Sequence, residues 1–172
     1  NLGSILQDLG NFKEAESYTR KAINFNPNLY RAHYNLGQIL YDTDKFEEAE
    51  VSLRKAIQLK ADFAEAHYNL ALLLKDLGKL KEAELSIRTS IQIKPHYSDA
   101  YSLLSFIQLL KGKYHLGLEN YEFRFKTVNP HFLHANPIIK KIDINNLKKG
   151  EKTLVVSEQG LGDTLQYMRY IP

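Results

Sequence analysis

The sequence predicts an all-α solenoid of helix-turn-helix repeats, closed at its C-terminal side by the opening βα unit of an α/β domain. Three observations predict it. The tripeptide Asn1, Leu2, Gly3 returns as Asn35, Leu36, Gly37 and again as Asn69, Leu70, Ala71, each time after 34 residues. Small residues and turn glycines recur with the same period. Beyond about Lys126 the period stops, and a β-branched run followed by a glycine-rich turn takes over. A period in this range marks stacked supersecondary units, which bury a one-dimensional core and leave a long groove free.

The period sets units at 1–29, 30–63, 64–97 and 98–126, a linker at 127–152, and a strand-turn-helix at 153–172. In the second unit, Arg31 to Tyr41 places apolar residues at helical spacing, Asp42 to Lys45 form a turn, and Phe46 to Ile57 form a second helix. Gly3, Gly37, Ala71 and Ser105 share one register position, and Ala15, Ala49, Ala83 and Gly117 share another. Only small residues let two antiparallel helices approach closely, so these positions are read as the crossing points; a large side chain there overpacks, at roughly 1–3 kcal/mol. Gly10, Gly78 and Gly112 share the turn, where a positive φ suits glycine; Asp44 takes that place once. Phe12, Phe46, Leu80 and Tyr114 open the second helices, and Pro27 and Pro95 are expected to stop the helices that close units one and three, with Ala61 as the exception.

These positions together resemble the tetratricopeptide repeat over residues 1–125. His33, His67 and Tyr101 stand where many such repeats have tryptophan, and the fourth unit decays, with Leu103 for the recurring Asn and Arg124 where Ala22, Ala56 and Ser90 sit. Its end, with Tyr121, Phe123 and Phe125, has the character of a cap that docks onto something. The resemblance implies a concave face lined by the first helices.

Net charge is +3, too weak and too mixed for a nucleic-acid stripe. There is no cysteine, which excludes disulfides and thiolate metal sites and fits a reducing, cytoplasmic setting. The longest apolar run, Leu70–Leu74, is far short of a membrane span, and no signal peptide is visible. The chain starts inside a repeat without a methionine and stops at Pro172 just after a new motif opens, so both ends are expected to be cut. No cofactor is expected for the repeats. His33 and His67 recur with the period and are read as packing residues; His131 and His134, bracketed by Pro130 and Pro137 with no carboxylate near, are not read as a metal site.

Two columns mark the groove: Asn1, Asn35, Asn69 and Asp8, Asp42, Asp76. Seven residues span about two helical turns, so each Asn shares a face with its Asp. Tyr34, Gln38 and Tyr41 join that face in the second unit, and Tyr68, Leu72 and Lys75 in the third. An amide offers donor and acceptor together, so a row of Asn can grip an extended peptide backbone. Tandem duplication alone, or hydrogen bonds in the turn, would also produce the Asp column. The Asn ladder and the run Ala32, His33, Tyr34, Asn35, Leu36 look like the repeats of O-linked N-acetylglucosamine transferase and its SPINDLY-like relatives. That resemblance implies that Asn1, Asn35 and Asn69 hold substrate peptide. Because Glu65, Asp99 and the Asp column would repel a carboxylate, the bound segment is expected to be extended and neutral or basic.

In the tail, Lys152 to Ser157 reads as a buried strand, Glu158 to Asp163 as a glycine-rich turn, and Thr164 to Ile171 as a helix. Gly160, Gly162 and Thr164 are candidates for holding a phosphate at the helix N-terminus; Asp163 is read either as an N-cap or as a site residue. Leu165 stands where a dinucleotide fingerprint needs its last glycine. The stretch from Glu158 to Pro172, after the aromatic end of the repeats, resembles an architecture in which such repeats precede a heptosyltransferase-like glycosyltransferase domain. That resemblance implies a nucleotide-sugar donor and Asp163 as general base in a longer bacterial parent, with no transferase activity in this stretch alone. The sequence therefore reads as a peptide-binding module that recruits substrate for such a domain, alternatively as a non-enzymatic scaffold, or as a homodimer formed through the first helices or the aromatic end.

Overall fold

The computed structural model describes residues 2–121, which lie within one compact unit. Eight helices follow one another among the described residues: α1 (Leu2–Asp8), α2 (Phe12–Phe25), α3 (Tyr30–Asp42), α4 (Phe46–Leu59), α5 (Ala64–Asp76), α6 (Leu80–Ile93), α7 (Ser98–Leu110) and α8 (Tyr114–Tyr121). The period is kept at helix boundaries: α3, α5 and α7 each have 13 residues, and α2, α4 and α6 each have 14. The helix-pair solenoid read from the sequence is the observed fold. The linker and the strand-turn-helix at 127–172 lie outside the described residues.

The turns form as their residues dictate. Gly10, Gly78 and Gly112 have φ of 75°, 72° and 73°, and Asp44 takes the same left-handed conformation at 58°. The four turns share one hydrogen-bond pattern, in which the residue after the positive-φ position donates back into the first helix: Asn11 to Leu6, Lys45 to Leu40, Lys79 to Leu74 and Lys113 to Gln108, each at 2.8 Å. Such bonds satisfy carbonyls that a helix end leaves open. The second helices stop at Phe25, Leu59 and Ile93 whether Pro27, Ala61 or Pro95 follows, so proline is not what ends them.

Crossing points fall where small residues recur. Ala15, Ala49, Ala71 and Ala83 are fully buried. A Cβ on Gly37 would lie 2.7 Å from Leu53 Cγ, and one on Gly117 would lie 2.7 Å from Leu109 Cγ. The core runs through Leu36, Leu40, Leu53, Leu70, Leu73, Leu74, Ile87, Leu104 and Ile107, which pack as one cluster from α3 to α7. Buried side chains of this size each contribute roughly 1.5–3 kcal/mol. In the fourth unit Gln108 occupies the register of Leu40 and Leu74, is 1% exposed, and accepts a hydrogen bond from Asn120 Nδ2 at 2.8 Å.

A ladder of ion pairs joins consecutive units. Arg20 reaches Glu16 at 2.8 Å in its own helix and Glu48 at 2.9 Å in the next unit. Arg54 repeats this with Glu50 at 2.8 Å and Glu82 at 2.9 Å. Lys45 crosses to Glu16 and Lys79 to Glu50, both at 2.9 Å. At the next rung Glu84, 7% exposed, gathers Arg88, Lys111 and Lys113. Burial pushes the Glu84 carboxyl up, but the hydrogen bonds from Lys111, Arg88 and Lys113 outweigh it and hold the group down at about 2. Hydrogen bonds from Lys45 and Lys79 likewise hold Glu16 and Glu50 below the ordinary carboxylate range.

Substitution in the turn separates backbone conformation from packing. Nothing lies within 4 Å of a Cβ built on Gly78, so Gly78→Ala tests φ alone; urea denaturation should show a loss of about 1 kcal/mol, with Asp44→Gly shifting the other way by roughly 0.5–1 kcal/mol. The ladder predicts an acid dependence. A carboxylate with a depressed pKa stabilises fully above its unfolded value and loses that contribution as pH falls through the folded value. Stability should therefore decline from about pH 4.5 down to about 2. Glu84→Gln should cost at most about 3 kcal/mol at neutral pH, a difference that closes in the acid limb. A Glu84→Gln penalty that stays constant across that window would count against the ladder.

Candidate functional site

Odd-numbered helices line one face of the stack. The backbones of α1 and α3, of α3 and α5, and of α5 and α7 approach one another, whereas each even-numbered helix approaches only its odd-numbered neighbours. The inner face is therefore built from the helices that carry the Asn and Asp columns. Asn35 and Asn69 are half-buried on it, as are Tyr34, Gln38, Tyr41, Tyr68, Leu72 and Lys75.

The structure sorts these residues into two cavities. Tyr34 and Asn35 lie in an open cavity of about 580 Å³ at the N-terminal ends of α3 and α5. Gln38, Tyr41, Asp42, Asn69 and Leu72 line a smaller one of about 180 Å³ with Gln7. Tyr68 stands beside Tyr97, with ring centroids 5.1 Å apart. Burial pushes the Tyr34 phenol up, and the Asn69 amide beside it takes back part of that shift. The amide of one unit thus serves the tyrosine of the unit before it.

Asp42 and Asp76 have partners within the stack. Gln7 Nε2 donates to Asp42 Oδ2 at 2.7 Å, and the Tyr41 hydroxyl donates to Asp76 Oδ2 at 2.5 Å. Gln7 and Tyr41 occupy one register position, so the same bond is made twice along the inner face. Lys75 Nζ adds a contact to Asp76 Oδ1 at 2.8 Å. Burial first, then the Asp76 hydrogen bond, raises the Tyr41 phenol and keeps it protonated as the donor. Neither duplication alone nor a bond within the turn describes this arrangement: the acids join one first helix to the next. Asp42 and Asp76 remain exposed. Glu65, another acid expected to repel a carboxylate, is paired with Lys94 at 3.1 Å. The repulsive field is accordingly weaker than the bare count of acids implies.

The recurring histidines hold the loops between units. His33 Nε2 lies 2.8 Å from the carbonyl oxygen of Pro27, and His67 Nε2 lies 3.0 Å from that of Ala61. The ring N–H donates in both, so at the position that many repeats give to tryptophan these residues hold the inter-unit loop by a hydrogen bond. In the fourth unit the Asn column ends at buried Leu103, while Phe106 and Leu110 extend the inner face and are 52% and 56% exposed. The groove therefore runs from amides to hydrocarbon.

Several residues of the larger cavity are not among those the sequence singles out. Tyr30, Arg31, Lys60, Phe63 and Lys94 line it. Tyr30 meets Phe63 edge to face at 5.2 Å, and Tyr34 meets Phe63 at 4.8 Å. Their signal in the sequence is a departure from the repeat: Tyr30 and Arg31 occupy positions filled by Ala64 and Glu65, then Ser98 and Asp99. Asn1, Gly160, Gly162, Asp163 and Thr164 lie outside the described residues. Asp8 closes α1. Among the described residues no cluster of three metal-ligating side chains occurs, and no helix is long and apolar enough to cross a membrane.

Comparison with known proteins agrees with the helix pairs. A family model described as "TPR repeat" matches residues 37–78, and one described as "Tetratricopeptide repeat" matches residues 1–29 and 64–97. Among solved structures, a crystal structure of MamA is similar at 25% identity and TM-score 0.68, covering 71% of this chain and 71% of that one. The first TPR of Spaghetti bound to an HSP90 peptide is similar at 21% identity and TM-score 0.63, covering 64% of this chain and 87% of that one. An O-GlcNAc transferase mutant of Thermobaculum terrenum is similar at 24% identity and TM-score 0.59, covering 62% of this chain but 20% of that chain. The last two likenesses carry the fold alone. No curated protein matches the chain.

Proposed function

Because the chain belongs to the tetratricopeptide repeat family, we propose that its inner face binds an extended protein segment and that Asn35 and Asn69 hold the backbone of that segment. The observation that supports this most directly is the pair of half-buried amides on the inner face, each opening on its own cavity beside tyrosines. An extended strand in such a groove presents its own N–H and C=O groups, and a side-chain amide answers both. The fold is one that carries an HSP90 peptide in the Spaghetti structure. That likeness speaks for the fold, so the reading rests on the residues of this chain. Lys75 beside Asp76 and Lys94 beside Glu65 offset two of the acids, whereas Asp42 keeps its charge under a neutral donor, so a neutral or basic stretch remains the reading along the Asp column.

In a longer parent, the groove presents an acceptor to a glycosyltransferase-like domain that begins near Lys152. There Gly160, Gly162 and Thr164 take the phosphates of a nucleotide sugar, and Asp163 acts as the base. The support is the strand-turn-helix pattern from Lys152 to Ile171. The rival is a scaffold, in which the repeats assemble a complex and the C-terminal domain performs no chemistry.

Two measurements test these readings. Peptides selected on the full chain from a random display library should bind about fivefold more weakly to Asn35→Ala and to Asn69→Ala, the loss of one hydrogen bond each; full affinity in both variants would remove the amides from the site. A longer chain carrying the complete C-terminal domain should bind nucleoside diphosphates or their sugar conjugates in calorimetry and lose them in Gly162→Val and Asp163→Asn. A folded domain that binds none of them would favour the scaffold.

A further inference from the structure

We propose that the open cavity walled by Tyr30 and Phe63 is an anion site in which Arg31 and Lys60 take the carboxylate of one acidic side chain of the bound segment. The inference rests on the reading that the inner face holds an extended protein segment. It arises from two cations that converge on one ring. Lys60 Nζ lies 5.0 Å from the centroid of Tyr30 and 5.9 Å from that of Phe63; Arg31 Cζ lies 5.8 Å from the Tyr30 centroid. The Arg31 Nε–H donates to the Tyr30 hydroxyl at 3.1 Å, which fixes the guanidinium at the cavity wall. The hydrogen bond from Arg31, joined by the charges of Arg31 and Lys60, pulls the phenol of Tyr30 down.

The repeat supplies its own control. Lys60 and Arg31 occupy the register positions of Lys94 and Glu65 one unit later. There the two residues form an ion pair at 3.1 Å, and Lys94 lies 4.5 Å from the centroid of Tyr97, the register equivalent of Phe63, from which Lys60 lies 5.9 Å. In the second unit the acid is replaced by Arg31, and neither Arg31 nor Lys60 makes an ion pair among the described residues. Arg20, Lys45, Arg54, Lys79 and Arg88 do, while Lys13, Lys21, Lys55 and Lys81 do not; what sets Arg31 and Lys60 apart is that they share one cavity lining. One unit therefore pairs its lysine with a carboxylate at this register, and the other sets two cations there, with Asp62 and Glu65 in the same lining.

Charge and position select the ligand. In the cavity lining, Lys94 and Glu65 cancel, Asp62 opposes one of the two remaining cations, and a single positive charge is left. That matches one carboxylate better than a phosphate dianion. Tyr34 and Asn35 belong to the same lining, so a segment held by the amides passes the site. Charge-assisted hydrogen bonds of guanidinium and ammonium to a carboxylate then anchor it.

Arg31→Glu is the informative variant, because it rebuilds opposite Lys60 the ion pair that Glu65 makes with Lys94 and so should fold as well as the natural chain. Random peptides fused to a carrier through their C-termini, which removes the terminal carboxylate, are selected on the full chain with and without Arg31→Glu. The natural chain should enrich peptides containing Asp or Glu, and amidating that residue to Asn or Gln should weaken binding about tenfold. Arg31→Glu should lose the same factor and the acid preference with it, and Arg31→Gln should fall between. Selected peptides without an acidic preference, or an acidic preference that survives Arg31→Glu, overturn the site. Peptides that depend on Asn69 but ignore Arg31 overturn it while leaving the groove reading standing. Failure of the folded natural chain to select any peptide overturns both.

Discussion

Close crossing of the two helices within each unit is the constraint on which the stack depends. Gly37 faces Leu53 at a distance that leaves no room for a methyl group, and Ala49, Ala71 and Ala83 are fully buried at equivalent crossings. Once the small residues fix how one helix lies on the other, the same atoms meet at every junction. The ladder of Arg20, Arg54 and their glutamates follows, because each rung is the previous one moved by one unit. Partly exposed ion pairs are individually weak. Their contribution here comes from the shared acid, in which Glu16, Glu50 and Glu84 each answer at least two cations.

The inner face inherits the same regularity and then departs from it. Gln7 with Asp42 and Tyr41 with Asp76 tie one first helix to the next, and Asn35 and Asn69 stand half-buried beside the two cavities. Toward α7 the face becomes apolar at Phe106 and Leu110. A partner that lies along the whole groove thus meets hydrogen-bonding groups first and hydrocarbon last. The two ends ask for different chemistry from one segment.

What repeats was legible in the sequence, and what couples or breaks the repeats was not. The helix boundaries, the positive φ at Asp44 and the buried small residues all follow from a period of 34 and from the stereochemistry of single residues. The bond from Gln7 to Asp42 joins positions 35 apart, so it belongs to neither residue's own column and needs the packing of two units to appear. The Glu16 to Lys45 rung is hidden for the same reason: a charge on a solvated helix face has many potential partners until the crossing selects one. Tyr30 and Arg31 are hidden for the opposite reason, since a periodic pattern says nothing of positions that fail to recur. Their meaning lies in the contrast with Ala64 and Glu65, and only the Lys94 to Glu65 distance shows what that contrast removes.

The backbones of first helices approach one another along the inner edge, whereas those of second helices stay apart among the described residues. Along the outer edge, ionic rungs between long side chains reach from one second helix to the next; along the inner edge, short bonds such as Tyr41 to Asp76 do so between first helices. Neighbouring units are thus spaced by backbone approach and short bonds along the inner edge, and by the reach of arginine and glutamate side chains along the outer edge.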